Sequence, residues 1–414
     1  MTYNIDALKA LGIAFETTFG TSQSGSVAYQ AVPFTEANFT RSRTMHEPGL
    51  MAQHIDSRGS RAIVGQKNGT LDVGLNLVGA PVALSSSVTT IPGFGLEKFL
   101  GASMGGVHVS AGAKIVAVAA PHSFSLETGQ GNRFPPGSAL AVRNSSTGLY
   151  HCSPVLSRSG DQITLAYGLG FTPVSGSDVF AGYNFFLKSD PTGSLQAFLR
   201  GDDSDDTWIA SGLNGGFTLE TPVGELATAN FSLAVANHVT GGAQPLGLES
   251  YTGGADGIAF YDSKVIFTPA NSGSSAATTR TEVDSPSVSP NVNISYGAIK
   301  SQGGVNGIVR WRRLRSVPVA APELQLYYAD NSYFTARDLR TPYRLDVQVG
   351  SQVGGNLAFI QFPNNQIMNV ERSEAESLNA QTLTLASDID ATTSITDSAG
   401  SVDLSRSAIR ITLF

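Results

Sequence analysis

The chain has 414 residues, enough for two or three domains, and its 41% hydrophobic residues and mean hydropathy of +0.01 exclude wholesale disorder. Only 14% of residues are charged, against roughly 25% in a typical soluble domain, and the net charge of −7 argues against tight nucleic-acid binding by the surface as a whole. One cysteine, Cys152, excludes an intrachain disulfide, and no stretch approaches the ~20 apolar residues of a membrane helix.

From the N-terminus, residues 1–10 lack the hydrophobic run of a signal peptide, so a cytoplasmic origin is expected. Leu8–Ala14 is a candidate short helix. Arg41–Gln66 is a long polar excursion, and loops of that length are uncommon unless they do something, so it is expected to order against neighbouring copies. Leu71–Leu77 alternates apolar and polar residues as a half-buried strand does. Gly95–Gly101 (GLEKFLG) predicts a short helix stopped at Gly101, and Ser123–Glu127 predicts a strand. Further strands are predicted at Ala139–Val142, Ile163–Ala166, Val179–Leu187, Leu195–Leu199, Phe231–Val235 and Leu345–Val349. Pro269–Pro290 is small, polar and proline-flanked, which predicts a loop or linker. Asn331–Arg340 predicts a second helix, ending before Pro342. The fold class is therefore mainly β.

An internal echo runs at about 150 residues. Leu195–Leu199 (LQAFL) alternates like Leu345–Val349 (LDVQV). Phe217, Leu219 and Glu220 match Met368, Val370 and Glu371, and Phe231 and Leu233 match Leu383 and Leu385. Two tandem copies are expected, the first over 1–134 and 188–245 and the second over 246–414. Residues 135–187 have no counterpart and read as a small β insertion, outward-facing because surfaces tolerate insertions.

Chemistry-bearing motifs are few. Gly101–Gly105 matches G-x-S-x-G, but the nucleophile elbow needs a strand before its serine and a helix after it, and here the order is reversed. Asp202, Asp203, Asp205 and Asp206 crowd one short loop without the spacing of a calcium-binding hand, so a solvated or channel-facing acidic loop is expected. Arg310–Arg315 (RWRRLR) is the one dense basic run. Nucleic-acid contact and subunit pairing are both open to it, and Arg310, Trp311, Arg312, Arg313 and Arg315 are expected at an interface. The six histidines show no ligand spacing and one cysteine cannot complete a zinc site, so no metal and no cofactor is expected.

The opening Gly12–Ser22 (GIAFETTFGTS), the Gly69–Leu77 strand, GLEKFLG, Ser123–Glu127 (SFSLE) and Gly215–Ala236 together resemble the tail tube proteins of long-tailed, non-contractile bacteriophages. Gly354–Ser387 repeats the last of these elements, so the resemblance covers most of the chain outside the insertion. It implies two tandem β-sandwich or barrel-segment domains with short flanking helices, assembling as stacked rings around a DNA channel in the virion tail. With two tube domains per chain, it implies rings of three chains with pseudo-sixfold symmetry. Implied partners are further copies of the chain, the tail-tip or terminator and tape-measure proteins, and DNA in transit, with no membrane and no enzymatic activity. Channel-lining candidates are Asp346 above all, then Glu220, Glu225, Glu371, Glu374 and the Asp202–Asp206 carboxylates. A tail-tip or surface adhesin module is the rival reading.

Overall fold

The computed structural model describes residues 2–5, 10–21, 29–46, 63–80, 87–88, 93–188, 193–201, 206–221, 225–240, 263–270, 278–314, 319–328, 330–350, 356–375, 377–388 and 407–414. The protein is mainly β, with two α-helices among these residues.

The chain begins with β1 (Thr2–Ile5), β2 (Ala10–Phe15), β3 (Gln30–Ala31), β4 (Glu36–His46) and β5 (Ile63–Asn76), followed by α1 (Gly95–Met104) and β6 (Gly105–Ser110). The helix expected within Leu8–Ala14 is instead β2. Its Leu-Gly-Ile-Ala run is buried on both faces, and a continuous apolar run carries no period that separates strand from helix. The helix in GLEKFLG does form, but it runs past Gly101 and stops where Gly105 turns left-handed (φ 85°).

Six strands then close a small barrel: β7 (Ala113–Ala120), β8 (Ser123–Leu126), β9 (Ala139–Arg143), β10 (Tyr150–Ser159), β11 (Gln162–Leu165) and β12 (Asp178–Val179), in the order β10-β11-β8-β7-β12-β9. Its interior is filled by Ile115, Phe124, Leu126, Leu140, Val142, Val155, Ile163 and Leu165. The inserted unit therefore starts earlier than residue 135, because closure needs β7 and β8 to remove the open edges. It also ends earlier than 187: β13 (Gly182–Leu187) leaves the barrel and pairs with β6 and with the C-terminal strand.

The first sheet is completed by β14 (Leu195–Arg200), β15 (Thr207–Glu220), β16 (Thr228–Val235) and β17 (Asn237–Thr240). The second uses β18 (Lys264–Pro269), β19 (Glu282–Val283), β20 (Ser287–Ser289), β23 (Glu323–Tyr327), β24 (Pro342–Val349), β25 (Ala358–Ala375), β26 (Leu378–Asp388) and β27 (Arg410–Leu413). Between β20 and β23 lies a separate hairpin, β21 (Tyr296–Val305) with β22 (Ile308–Arg313), and α2 (Ser332–Asp338) precedes β24. The short strands β19 and β20 lie within Pro269–Pro290, which is thus only partly loop.

The two sheets repeat one connectivity. The first contains the path β4-β5-β16-β15-β14-β2-β3, and the second runs β20-β23-β26-β25-β24-β18-β19, with a helix before the three-strand meander in each. A β-bulge between Ala210 and Leu213 recurs between Phe362 and Asn365, 152 positions later. Phe231 and Leu383, also 152 apart, sit in matching core rows: Ala37-Val73-Phe231-Phe217 and Val288-Leu324-Leu383-Val370. The match of Phe217 to Met368 does not hold. A second bulge between Ile367 and Asn369 turns Met368 outward, 56% exposed, and Val370 takes the core position. Both core rows belong to one apolar cluster shared with α1.

Candidate polar face and buried seams

Strand alternation gives each sheet an outer face as well as a core face. On the first sheet three outward rows cross β4, β5, β16 and β15: Glu36-Gly74-Asn230-Thr218, Asn38-Asp72-Ser232-Gly216, and Asn76-Thr228-Glu220 across the last three strands. On the second sheet the rows Ser289-Glu323-Thr384-Asn369 and Ser287-Gln325-Thr382-Glu371 take the same place. These rows hold hydroxyls, amides and five carboxylates, and no lysine or arginine. Asp72 and Glu323 stand at the same strand and row of the two sheets.

Three of the carboxylates are held by neutral neighbours. The Ser232 hydroxyl donates to Asp72 Oδ1 at 2.6 Å, Asn230 Nδ2 to Glu220 Oε1 at 3.2 Å, and Asn369 Nδ2 to Glu371 Oε1 at 2.7 Å. Among the described residues none of these five carboxylates forms an ion pair. A cleft of ≈ 610 Å³ opens on the first of these faces, between Glu36, Asp72, Asn230 and Ser232 and the segment 292–296. The arrangement presents negative charge and exchangeable hydrogen bonds, but no cation to grip a phosphate.

Of the predicted channel residues, Glu220 and Glu371 lie on these faces, and Glu225 and Glu374 are exposed nearby in sequence. Asp202, Asp203 and Asp205 fall outside the described residues. Asp206 is engaged at the base of its loop, accepting from Trp208 Nε1 at 2.7 Å. Asp346 corrects the expectation made for it: it is fully buried. Alternation does turn it away from the core, but the barrel covers that side. Tyr167 of the barrel donates to Asp346 Oδ2 at 2.8 Å, and Arg344 Nη1 lies 3.8 Å from the same oxygen. Burial raises the Asp346 carboxyl to about 6, against the pull of Arg344, the Tyr167 hydrogen bond, Arg410 and Arg280. The seam continues where Cys152 N–H donates to Gln348 Oε1 at 2.9 Å and Gln348 Nε2 donates to the Tyr150 carbonyl at 2.8 Å. Tyr150, Cys152 and Tyr167 pack there with Ile266, Phe359 and Phe414.

The basic run is divided in two. Trp311 is 7% exposed and donates from Nε1 to the Gly212 carbonyl at 2.6 Å, so it anchors the β21–β22 hairpin to the first sheet within one chain. Arg310 and Arg312 are exposed, Arg313 is half-buried, and Arg315 falls outside the described residues. Gly212 is the bulge residue (φ 66°), and its N–H donates to Glu16 Oε1 at 2.6 Å. Glu16 also accepts from Gly20 N–H at 3.0 Å and from the Ser194 hydroxyl. The opening motif Glu16–Gly20 thus clamps the bulge that Trp311 reads from the other side. Ser103, from G-x-S-x-G, lies buried in the last turn of α1, followed by β6, as its flanking sequence predicts. Among the described residues no group of three metal-ligating side chains converges.

No protein-family model matches this chain, and no curated protein matches it.

Proposed function

We propose that this chain is a structural subunit of a bacteriophage tail tube, assembling into stacked rings whose channel carries DNA. The observation that carries the reading is the pair of cation-free, carboxylate-bearing outer faces at equivalent places on two sheets of one connectivity. A protein that binds nucleic acid neutralises phosphates with lysine and arginine, and each such contact adds salt-sensitive affinity. A wall of hydroxyls, amides and carboxylates offers none, so a polyanion slides along it. The repeated connectivity supports the three-chain ring that the resemblance implies, with each chain supplying two tube-type domains and the barrel mounted on the second. Its place is the virion tail, between tail-tip or terminator proteins and around the tape measure. Negative-stain electron microscopy of the purified chain tests the reading. Hollow rods or rings support it, whereas a compact particle that stays monomeric in the presence of tail-initiation proteins removes it.

A further inference from the structure

Residues 285–322 carry five cations (Lys300, Arg310, Arg312, Arg313 and Arg315) and no carboxylate; subtracting them from the chain's −7 leaves the remainder at −12. Within this stretch the β21–β22 hairpin turns Ile308 and Trp311 onto the first sheet, where they pack with Ala236 and Phe19. Alternation turns Arg310, Arg312 and Leu314 (51% exposed) to the side away from Trp311, and Lys300 and Val309 (43%) are exposed beside them toward the hairpin's turn. Arg310 lies opposite Ile299 and Arg312 opposite Gly297, so no partner strand supplies a counter-charge.

We infer that this outer face of the hairpin docks on a carboxylate-bearing surface of a second copy of the chain. Two observations select a protein partner over nucleic acid. The tryptophan that would stack on bases is turned inward and committed to Gly212. Exposed aliphatics interleave the arginines, and arginine with apolar neighbours marks protein interfaces. Charge selects the copy: the rest of every chain is strongly acidic. The inference goes beyond the tube reading and stands apart from it, since a dimer or any other oligomer would satisfy it.

The test is sedimentation velocity of the full chain over a range of concentrations and salt, comparing wild type with R310E/R312E. A control of equal charge change, R143E/R337E, alters an exposed arginine on the barrel and a half-buried one on α2. The wild type should associate, less so as salt rises. The R310E/R312E variant should need roughly tenfold more protein for half-association, with the control unchanged. Trp311 fluorescence matching wild type establishes that the hairpin is still seated. Equal association of the R310E/R312E variant and wild type overturns the inference, and so does a wild type that is monomeric at every salt and concentration. A third outcome also overturns it, in favour of nucleic acid: unchanged association, but loss in R310E/R312E of binding to a labelled DNA oligonucleotide. Rods or rings in micrographs report on the tube reading separately, because reversed arginines can weaken an oligomer of any shape.

Discussion

Asp346 and Glu371 lie in the same sheet, on adjacent strands, and both point away from the core, yet one is sealed and the other open. The difference is not in their own strands. Over the first half of the meander the barrel lies against the second sheet, and Tyr167, Gln348 and Cys152 knit the two into a buried polar seam. Over the second half nothing in the described chain covers the sheet, and Glu371 hydrogen-bonds to Asn369 on an exposed row. Alternation decides which residues share a face, and only tertiary cover decides whether that face meets solvent.

The largest expected effect breaks the anchoring of the hairpin, the other place where one region covers another. Trp311→Ala should destabilise the chain by about 3–5 kcal/mol in denaturant unfolding, as large-to-small core changes do. Trp311→Phe, which keeps an aromatic but smaller side chain and loses the bond to Gly212, should cost less than that but at least about 1 kcal/mol.

The sealed carboxylate sets the next. Asp346 is raised from its ordinary 3.8 to about 6. Its contribution to stability is therefore fully present below about pH 3.8 and is lost as pH rises through about 6. Relative to Asp346→Asn, wild-type stability should fall by up to about 3 kcal/mol across that window, at about 1.36 kcal/mol per pH unit. A flat difference would mean that Asp346 is solvated, and the barrel not seated on the sheet. Tyr167→Phe removes the neutral donor to that carboxylate found among the described residues and should cost about 1–3 kcal/mol near neutral pH, measured the same way.

The open face should respond least. Glu220→Gln and Glu371→Gln should each change stability by no more than about 0.5 kcal/mol, because both side chains are exposed and bonded only to neighbouring amides. Replacing Asp72, Glu220, Glu323 and Glu371 together with lysine should leave the fold intact and create salt-sensitive DNA retention, read by anisotropy of a labelled oligonucleotide.

Much of this was legible in the sequence. Alternation located β5, β8, β14, β16 and β24, and the 152-residue interval from Phe231 to Leu383 is the one that the bulges keep. The polar face was legible only in part. Its rows draw one residue from each of three or four strands, contributed by chain segments as far apart as residues 36–76 and 218–232, so no single stretch of sequence singles out Asp72 and Glu323, although Leu71-Asp72-Val73 and Leu324 beside Glu323 carry the alternation that places them outside. Asp346 shows the same alternation and misleads, since no local pattern records that a barrel built from residues 113–179 will lie on it. The β2 strand was hidden for a third reason, burial on both faces, which erases the period.

The most direct test of the central claim is a cryo-electron microscopy reconstruction of the assembled particle. The account predicts rings of three chains with pseudo-sixfold symmetry, with Asp72 and Glu323 at alternating, equivalent places on the channel wall and the barrels outside. Six chains per ring, or Asp72 and Glu323 on the outer surface with lysines and arginines lining the channel, would contradict it.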